Sequence, residues 1–157
     1  EVYINLGSKR NPRFVDIHFR SCIRPIMIKA VVDVMVPLDL YKVQFIKGTY
    51  GEVLENFGKE YYRLWCYNHI LSLDLEKSVY GSQEDNGTWV EDLETIVLDN
   101  EKLGRVPEEQ RLMFHIKERP EFLIVHQTIV DALTPHNFVG AKFVPVKKWG
   151  IDSIFDK

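Results

Sequence analysis

A sixteen-residue pattern occurs twice in this chain, at positions 31–46 (VVDVMVPLDLYKVQFI) and again 98 residues later at positions 129–144 (IVDALTPHNFVGAKFV). The identical pairs are Val32/Val130, Asp33/Asp131, Pro37/Pro135 and Phe45/Phe143. In each copy an apolar stripe of helical spacing runs up to a proline, and a short connection then leads into a strand. The pattern predicts a helix-loop-strand unit that is used twice; the alternative is a chance likeness between two amphipathic helices that each precede a proline and a strand.

A helix with one apolar stripe has to bury that stripe against another element. The two stripes are Met27, Val31, Met35 and Val125, Ile129, Leu133. The aromatic segment at positions 61–71 (YYRLWCYNHIL) predicts one long central strand that is buried on both faces. Together these patterns predict one α+β domain over positions 1–157, with a central, largely antiparallel or mixed sheet on which the two helix-loop-strand units pack.

Composition restricts the class of protein further. Hydrophobic residues make up 45% and charged residues 27% of the 157 positions, as in ordinary globular proteins. The net charge of −3 argues against a nucleic-acid partner, and no apolar run reaches the ~20 residues of a membrane helix. No secretory pattern is present, so we expect a cytoplasmic protein in which Cys22 and Cys66 are reduced. Because the sequence opens on Glu1, the C-terminal part of a longer protein is an open alternative.

No local motif for catalysis, cofactor or metal binding occurs. Phosphate-binding glycine loops, the nucleophile elbow and metal-ligand histidine spacings are all missing from the sequence. Cys66 and His69 lie three apart, but residues three apart on a strand point to opposite faces, which favours a core cysteine over a nucleophile-base pair. We therefore predict no catalytic residue, no cofactor and no metal.

The acidic segment at positions 84–101 is the candidate interaction site. Its candidate contact residues are Glu84, Asp85, Trp89, Glu91, Asp92 and Glu94. Acidic groups raise association rates with a basic partner, and a large aromatic residue inside a charged rim resembles a binding hot spot. The alternatives are a solvated charge run and a tryptophan that holds the loop to the core.

The order of several motifs along positions 21–148 resembles the bacterial immunity proteins that accompany polymorphic toxins, specifically immunity family eleven. An aromatic strand leads into a Leu-Asp pair and a serine, matched here by Tyr62, Leu64, Leu73, Asp74 and Ser78. The later motifs are matched by Phe114, Ile116, Val125, Asp131, Ala132, Leu133, Gly140, Phe143, Pro145 and Val146. The family supplies no catalytic residues, and the residue types at Asp74 and Ser78 suit a structural turn.

The resemblance implies a non-enzymatic protein that neutralises a cognate toxin domain by stoichiometric contact. The acidic residues predict a partner with a basic surface, and the oligomeric state is left open. Two alternatives come from other classes: a small enzyme with its site in a cleft between the two helix-strand units, and a structural module of a longer secreted or phage-associated protein.

Overall fold

The computed structural model describes residues 2–5, 16–18, 24–48, 60–84 and 88–150, with residues 2–5 and 18 described through their backbone alone. The strands in this part of the chain are β1 (Val2–Asn5), β2 (Ile17–His18), β3 (Ile26–Ile28), β4 (Val43–Gly48), β5 (Tyr61–Cys66), β6 (His69–Ile70), β7 (Ser82–Gln83), β8 (Val90–Glu91), β9 (Met113–Ile116), β10 (Leu123–His126) and β11 (Phe143–Pro145). The α-helices are α1 (Lys29–Met35), α2 (Asn100–Gly104) and α3 (Gln127–Leu133). Short 3₁₀ helices span Val36–Leu38, Glu108–Arg111, Thr134–His136 and Val146–Lys148.

Most strands are divided between two sheets. A five-stranded sheet has the order β11-β1-β10-β9-β6, and a four-stranded sheet has the order β2-β3-β5-β4. All of the pairs with a described register are antiparallel except β6 with β9, which is parallel. The predicted α+β class with mixed and antiparallel sheets is confirmed. Within the described residues, no helix is long and apolar enough to cross a membrane.

The repeat predicted from the sequence is confirmed in the backbone, but the first residue of each predicted helical stripe lies on a strand, Met27 in β3 and Val125 in β10. α3 begins and ends 98 positions after α1, and each helix runs into a three-residue 3₁₀ turn that contains the repeated proline. The residues that follow the helices, Val36 and Thr134, both have φ −55° and ψ −42°. Asp39 and Asn137 then end the turns with left-handed φ values of 47° and 51°. Asp and Asn tolerate this conformation better than most residues, so the chemistry of the turn is repeated as well.

The repeat extends to the strand pairing. β3 and β4 lie on either side of β5, and β10 and β11 lie on either side of β1. The registers match at the same spacing of 98: Met27 and Lys47 pair with Tyr62, and Val125 and Pro145 pair with Tyr3. β2 borders β3 as β9 borders β10. Each copy therefore comprises four neighbouring strands and one helix, with β6 as an additional strand beside the second copy. The second copy takes its inner strand, β1, from the start of the chain.

Two hydrophobic clusters flank the five-stranded sheet. The main cluster joins α1, α3 and both sheets, so the helices lie at the interface between the two copies. The second cluster covers the other face of the five-stranded sheet with residues of the connection between β6 and β9. β10 shows the alternation directly, because Leu123 and Val125 belong to the main cluster and Ile124 belongs to the second.

The prediction of one strand across positions 61–71 is wrong. β5 ends at Cys66, and β6 pairs with β9 in the other sheet. The side-chain amide of Asn68, which is buried, donates to the backbone carbonyls of Gln110 at 2.6 Å and Met113 at 3.0 Å. These hydrogen bonds hold the chain where it crosses between the sheets. Because apolar residues lie on both sides of Asn68, the sequence pattern alone does not show that one strand ends and another begins there.

Truncating either repeated phenylalanine is expected to destabilise the protein by a similar amount. Phe45 and Phe143 are both half-buried and pack against the main cluster. Each Phe→Ala change should lower the free energy of unfolding by about 2 kcal/mol, less than the ~3–5 kcal/mol of a fully buried phenylalanine. Urea unfolding of the two variants measures this, and losses that differ by more than about 1.5 kcal/mol would contradict equivalent environments.

Candidate functional site

The predicted contact residues are carried by a two-stranded hairpin. We call the described residues 81–84 and 88–94, which include β7 and β8, the acidic hairpin. The carboxylates of this hairpin are exposed at Glu84, Glu91, Asp92 and Glu94, and Asp85 lies outside the described residues. Glu91 accepts a hydrogen bond from the Ser82 hydroxyl at 3.0 Å. The hairpin thus brings the acidic side chains to one exposed element.

Trp89 has a structural contact in addition to its exposed surface. The indole is half-buried, and the guanidinium carbon of Arg119 lies 5.3 Å from the ring centroid. Arg119 also donates from Nη1 to the backbone carbonyl of Val90 at 3.2 Å. Arg119 therefore holds the acidic hairpin at Trp89 and Val90, and only the exposed part of the Trp89 ring is free to meet a partner.

Glu118 is the principal residue that sequence patterns did not identify. The side chain is 1% exposed, and its two carboxylate oxygens accept the backbone N–H groups of Ser72 at 3.1 Å and Leu73 at 3.0 Å. Its own carbonyl accepts from the backbone N–H of Val90 at 3.1 Å. One residue thus joins the turn after β9, the chain after β6 and the acidic hairpin.

Asp74 and Ser78 form a turn stabilised by their side chains. Asp74 Oδ1 accepts the backbone N–H groups of Glu76 and Lys77, each at 3.2 Å, and a hydrogen bond from the Lys77 ammonium group lowers the pKa of Asp74. The Ser78 hydroxyl accepts from the backbone N–H of Val97 at 3.0 Å. The turn, which precedes the acidic hairpin in sequence, is therefore hydrogen-bonded to Val97, which follows the hairpin and precedes α2.

Burial favours the neutral forms of His115 and Cys66. The rings of His69 and His115 stack at 5.2 Å, and burial, followed by the charge of His69, lowers the pKa of His115 to about 4. Burial raises the pKa of the Cys66 thiol to about 11, so this cysteine is protonated and unsuited to nucleophilic attack. Cys66 and His69 belong to different sheets. Cys22 lies outside the described residues.

No metal centre is formed by the described side chains, because no three His, Cys, Asp or Glu residues among them are grouped as ligands. The space between the two copies measures about 30 Å³ and is lined by apolar residues such as Met27, Leu64 and Leu123. Such a lining offers neither an acid nor a base.

The outer face of the four-stranded sheet is a second exposed surface. The repeat makes Ile26 equivalent to Ile124 and Ile46 equivalent to Val144. Ile124 and Val144 are buried in the second cluster, whereas Ile46 is 45% exposed. On the same sheet Trp65 stacks with Tyr67 at 5.9 Å and with the guanidinium of Arg24 at 3.8 Å. This face, which we call the aromatic face, is rich in the residue types of binding hot spots.

Neither family models nor curated sequences match this chain significantly. The likeness to the immunity proteins, and with it the toxin partner, stays a prediction that rests on the motifs along positions 21–148.

Proposed function

We propose that this protein is a non-catalytic immunity protein of the cytoplasm, which binds a cognate bacterial toxin domain and neutralises it by stoichiometric contact. The observation that carries the proposal is an acidic hairpin that is exposed to solvent and held to the rest of the protein at Val90. Glu84, Glu91, Asp92 and Glu94 reach solvent, while Val90 between them is fully buried. The toxin is proposed as the partner because the order of motifs along the chain resembles that of the immunity proteins.

A fixed acidic surface suits the inhibition of a protein that handles an anionic substrate. Toxins that act on nucleic acid need a basic cleft, and complementary charge steers a partner into such a cleft. Preorganisation adds affinity, because less conformational freedom is lost when the complex forms. The hydrogen bonds of Arg119 and Glu118 to the backbone of Val90 supply that preorganisation.

Neutralising the acidic hairpin is expected to slow association with the toxin domain encoded by the adjacent gene. The test variant is E84Q/E91Q/D92N/E94Q, in which Asn suits the left-handed backbone of Asp92 (φ 49°). At low salt its association rate constant should fall about tenfold, because long-range attraction is lost. The difference from the unmodified protein should shrink as salt is raised. Surface plasmon resonance at two ionic strengths measures both effects.

The matched control is D33N/D131N, which removes two exposed carboxylates from α1 and α3. This control should associate at nearly the unmodified rate, and thermal melts should show that both variants are folded. A third variant, I46K/Y67A, alters the aromatic face. Unchanged association of the hairpin variant together with lost binding by I46K/Y67A would reject the acidic hairpin as the contact. A protein that binds no adjacent toxin domain at all would reject the immunity function.

A further inference from the structure

A cavity of about 840 Å³ lies between positions 95–111 and the outer face of the five-stranded sheet. Its apolar walls include Leu103 from α2, Phe114 from β9 and Trp149 near the end of the described chain. Cavities of this size, with apolar walls and a few polar groups, are typical of sites for small organic ligands. The cavity shares no residue with the acidic hairpin, so a ligand in it would be separate from the proposed toxin contact.

Arg111 lines this cavity, and one nitrogen of its guanidinium group has no acceptor within the described part of the chain. The residue is half-buried, and its Nε is completely buried without a hydrogen-bond partner. Glu108 also lines the cavity, but it does not accept a hydrogen bond from the buried Nε of Arg111. Guanidinium groups in partly buried sites are normally paired with carboxylate or phosphate oxygens. Arg111 therefore offers a charged donor for which a ligand could supply the acceptor.

His126 contributes a second donor to the lining. Its Nδ1 accepts the backbone N–H of Thr128 at 3.3 Å, and burial lowers the pKa of the ring. A neutral imidazole that accepts at Nδ1 carries its proton on Nε2, so the remaining polar group of this ring is a donor. Lys147 and Glu108 also line the cavity.

We propose that this cavity binds a small organic anion, in which a carboxylate or similar acidic group is carried on an apolar body. The acidic group pairs with Arg111 and receives the His126 Nε2 proton in a hydrogen bond. The apolar body lies against Leu103, Phe114 and Trp149. A neutral molecule of the same shape fills the same walls but offers the guanidinium no charged acceptor.

The test uses decanoate and decanol, which differ mainly in charge, as displacers of 8-anilinonaphthalene-1-sulfonate from the native protein at pH 7.5. Decanoate should bind at least tenfold more tightly than decanol, because a hydrogen bond between two charged groups is stronger than one to a neutral hydroxyl. Arg111→Gln should weaken decanoate roughly tenfold and leave decanol unchanged. Arg105→Gln, which removes a fully solvated guanidinium that pairs with Glu101, should change neither.

Leu103→Phe is a second variant that narrows the cavity, and it should weaken both displacers. Near-ultraviolet circular dichroism shows whether each variant retains its packed core. The proposal is overturned if decanoate and decanol bind the unmodified protein equally, if Arg111→Gln leaves the affinity for decanoate intact, or if neither compound binds below about 1 mM, the range expected of a real site.

Discussion

Replacing Glu118 with alanine should lower the free energy of unfolding by about 4 kcal/mol. The carboxyl group accepts two buried backbone N–H groups, from Ser72 and Leu73, and alanine leaves both without an acceptor. Each unpaired buried donor costs about 1–3 kcal/mol, and the empty volume of the side chain adds to the loss. Urea unfolding followed by circular dichroism measures the change, and amide hydrogen exchange should show faster exchange at Ser72 and Leu73.

Two comparisons separate this effect from a general loss of charge. Glu118→Gln keeps one acceptor oxygen and should cost clearly less than Glu118→Ala. Glu101→Ala removes a carboxylate that is 80% exposed and should cost less than about 1 kcal/mol. If Glu118→Ala costs no more than Glu101→Ala, then Glu118 does not hold the chain after β6, and the anchoring of the acidic hairpin needs another explanation.

The same variant connects stability with binding. Glu118 reaches the acidic hairpin only through its backbone carbonyl, which accepts the N–H of Val90. Alanine retains that carbonyl but loosens the chain on which it sits. We therefore expect Glu118→Ala to weaken toxin binding by raising the dissociation rate. The hairpin variant E84Q/E91Q/D92N/E94Q should instead weaken binding by lowering the association rate. The two classes of variant distinguish preorganisation from electrostatic steering.

The repeat was predictable because its signals are local. Apolar spacing, a stopping proline and a following strand lie within sixteen positions, and all three are repeated after 98 residues. The polar residues Asp39 and Asn137 at the left-handed positions agree with this local code. The position of β1 between β10 and β11 in the second copy was not predictable, because a strand's partners depend on contacts between residues far apart in sequence.

Residues whose role depends on distant partners escaped the sequence patterns. Asn68 interrupts an apolar run through hydrogen bonds to Gln110 and Met113, more than 40 positions away. Glu118 stands in a charged turn, where a carboxylate is usually solvated, yet it is buried by chain from positions 72–73. The exposure of Glu84, Glu91, Asp92 and Glu94 was easier to foresee, since a dense acidic segment rarely enters a core.

The difference between the two copies also has a physical origin. The connection between β6 and β9 covers the outer face of the five-stranded sheet, where Ile124 and Val144 are buried. The equivalent Ile46 on the four-stranded sheet keeps 45% of its surface exposed. The two copies have similar sheets, but the connection between β6 and β9 covers the outer face of only the five-stranded one among the described residues. The acidic hairpin and one wall of the cavity belong to that connection, so both candidate sites depend on the part that is not repeated.

Acidification from pH 6.5 to about 4 should remove about 3 kcal/mol of stability through His115 alone. Burial, followed by the charge of His69, lowers the pKa of His115 from 6.5 to about 4. The unfolded chain therefore takes up a proton at a pH where the folded protein still holds the ring neutral. The stabilisation from this histidine is complete above pH 6.5 and is lost as the pH falls towards 4. Each unit of pKa difference is equivalent to about 1.4 kcal/mol.

The measurement is the free energy of unfolding of the unmodified protein and of His115→Gln between pH 7.5 and 4. The difference between the two curves isolates His115 from carboxylates and from His69 and His126, whose pKa values are also lowered by burial. His69→Gln should reduce the slope less than His115→Gln does, because it removes the smaller of the two causes acting on His115. An NMR titration of the His115 ring gives the folded pKa directly. A midpoint near 6.5, or parallel stability curves for the protein and His115→Gln, would show that the ring is protonated as readily in the fold as outside it.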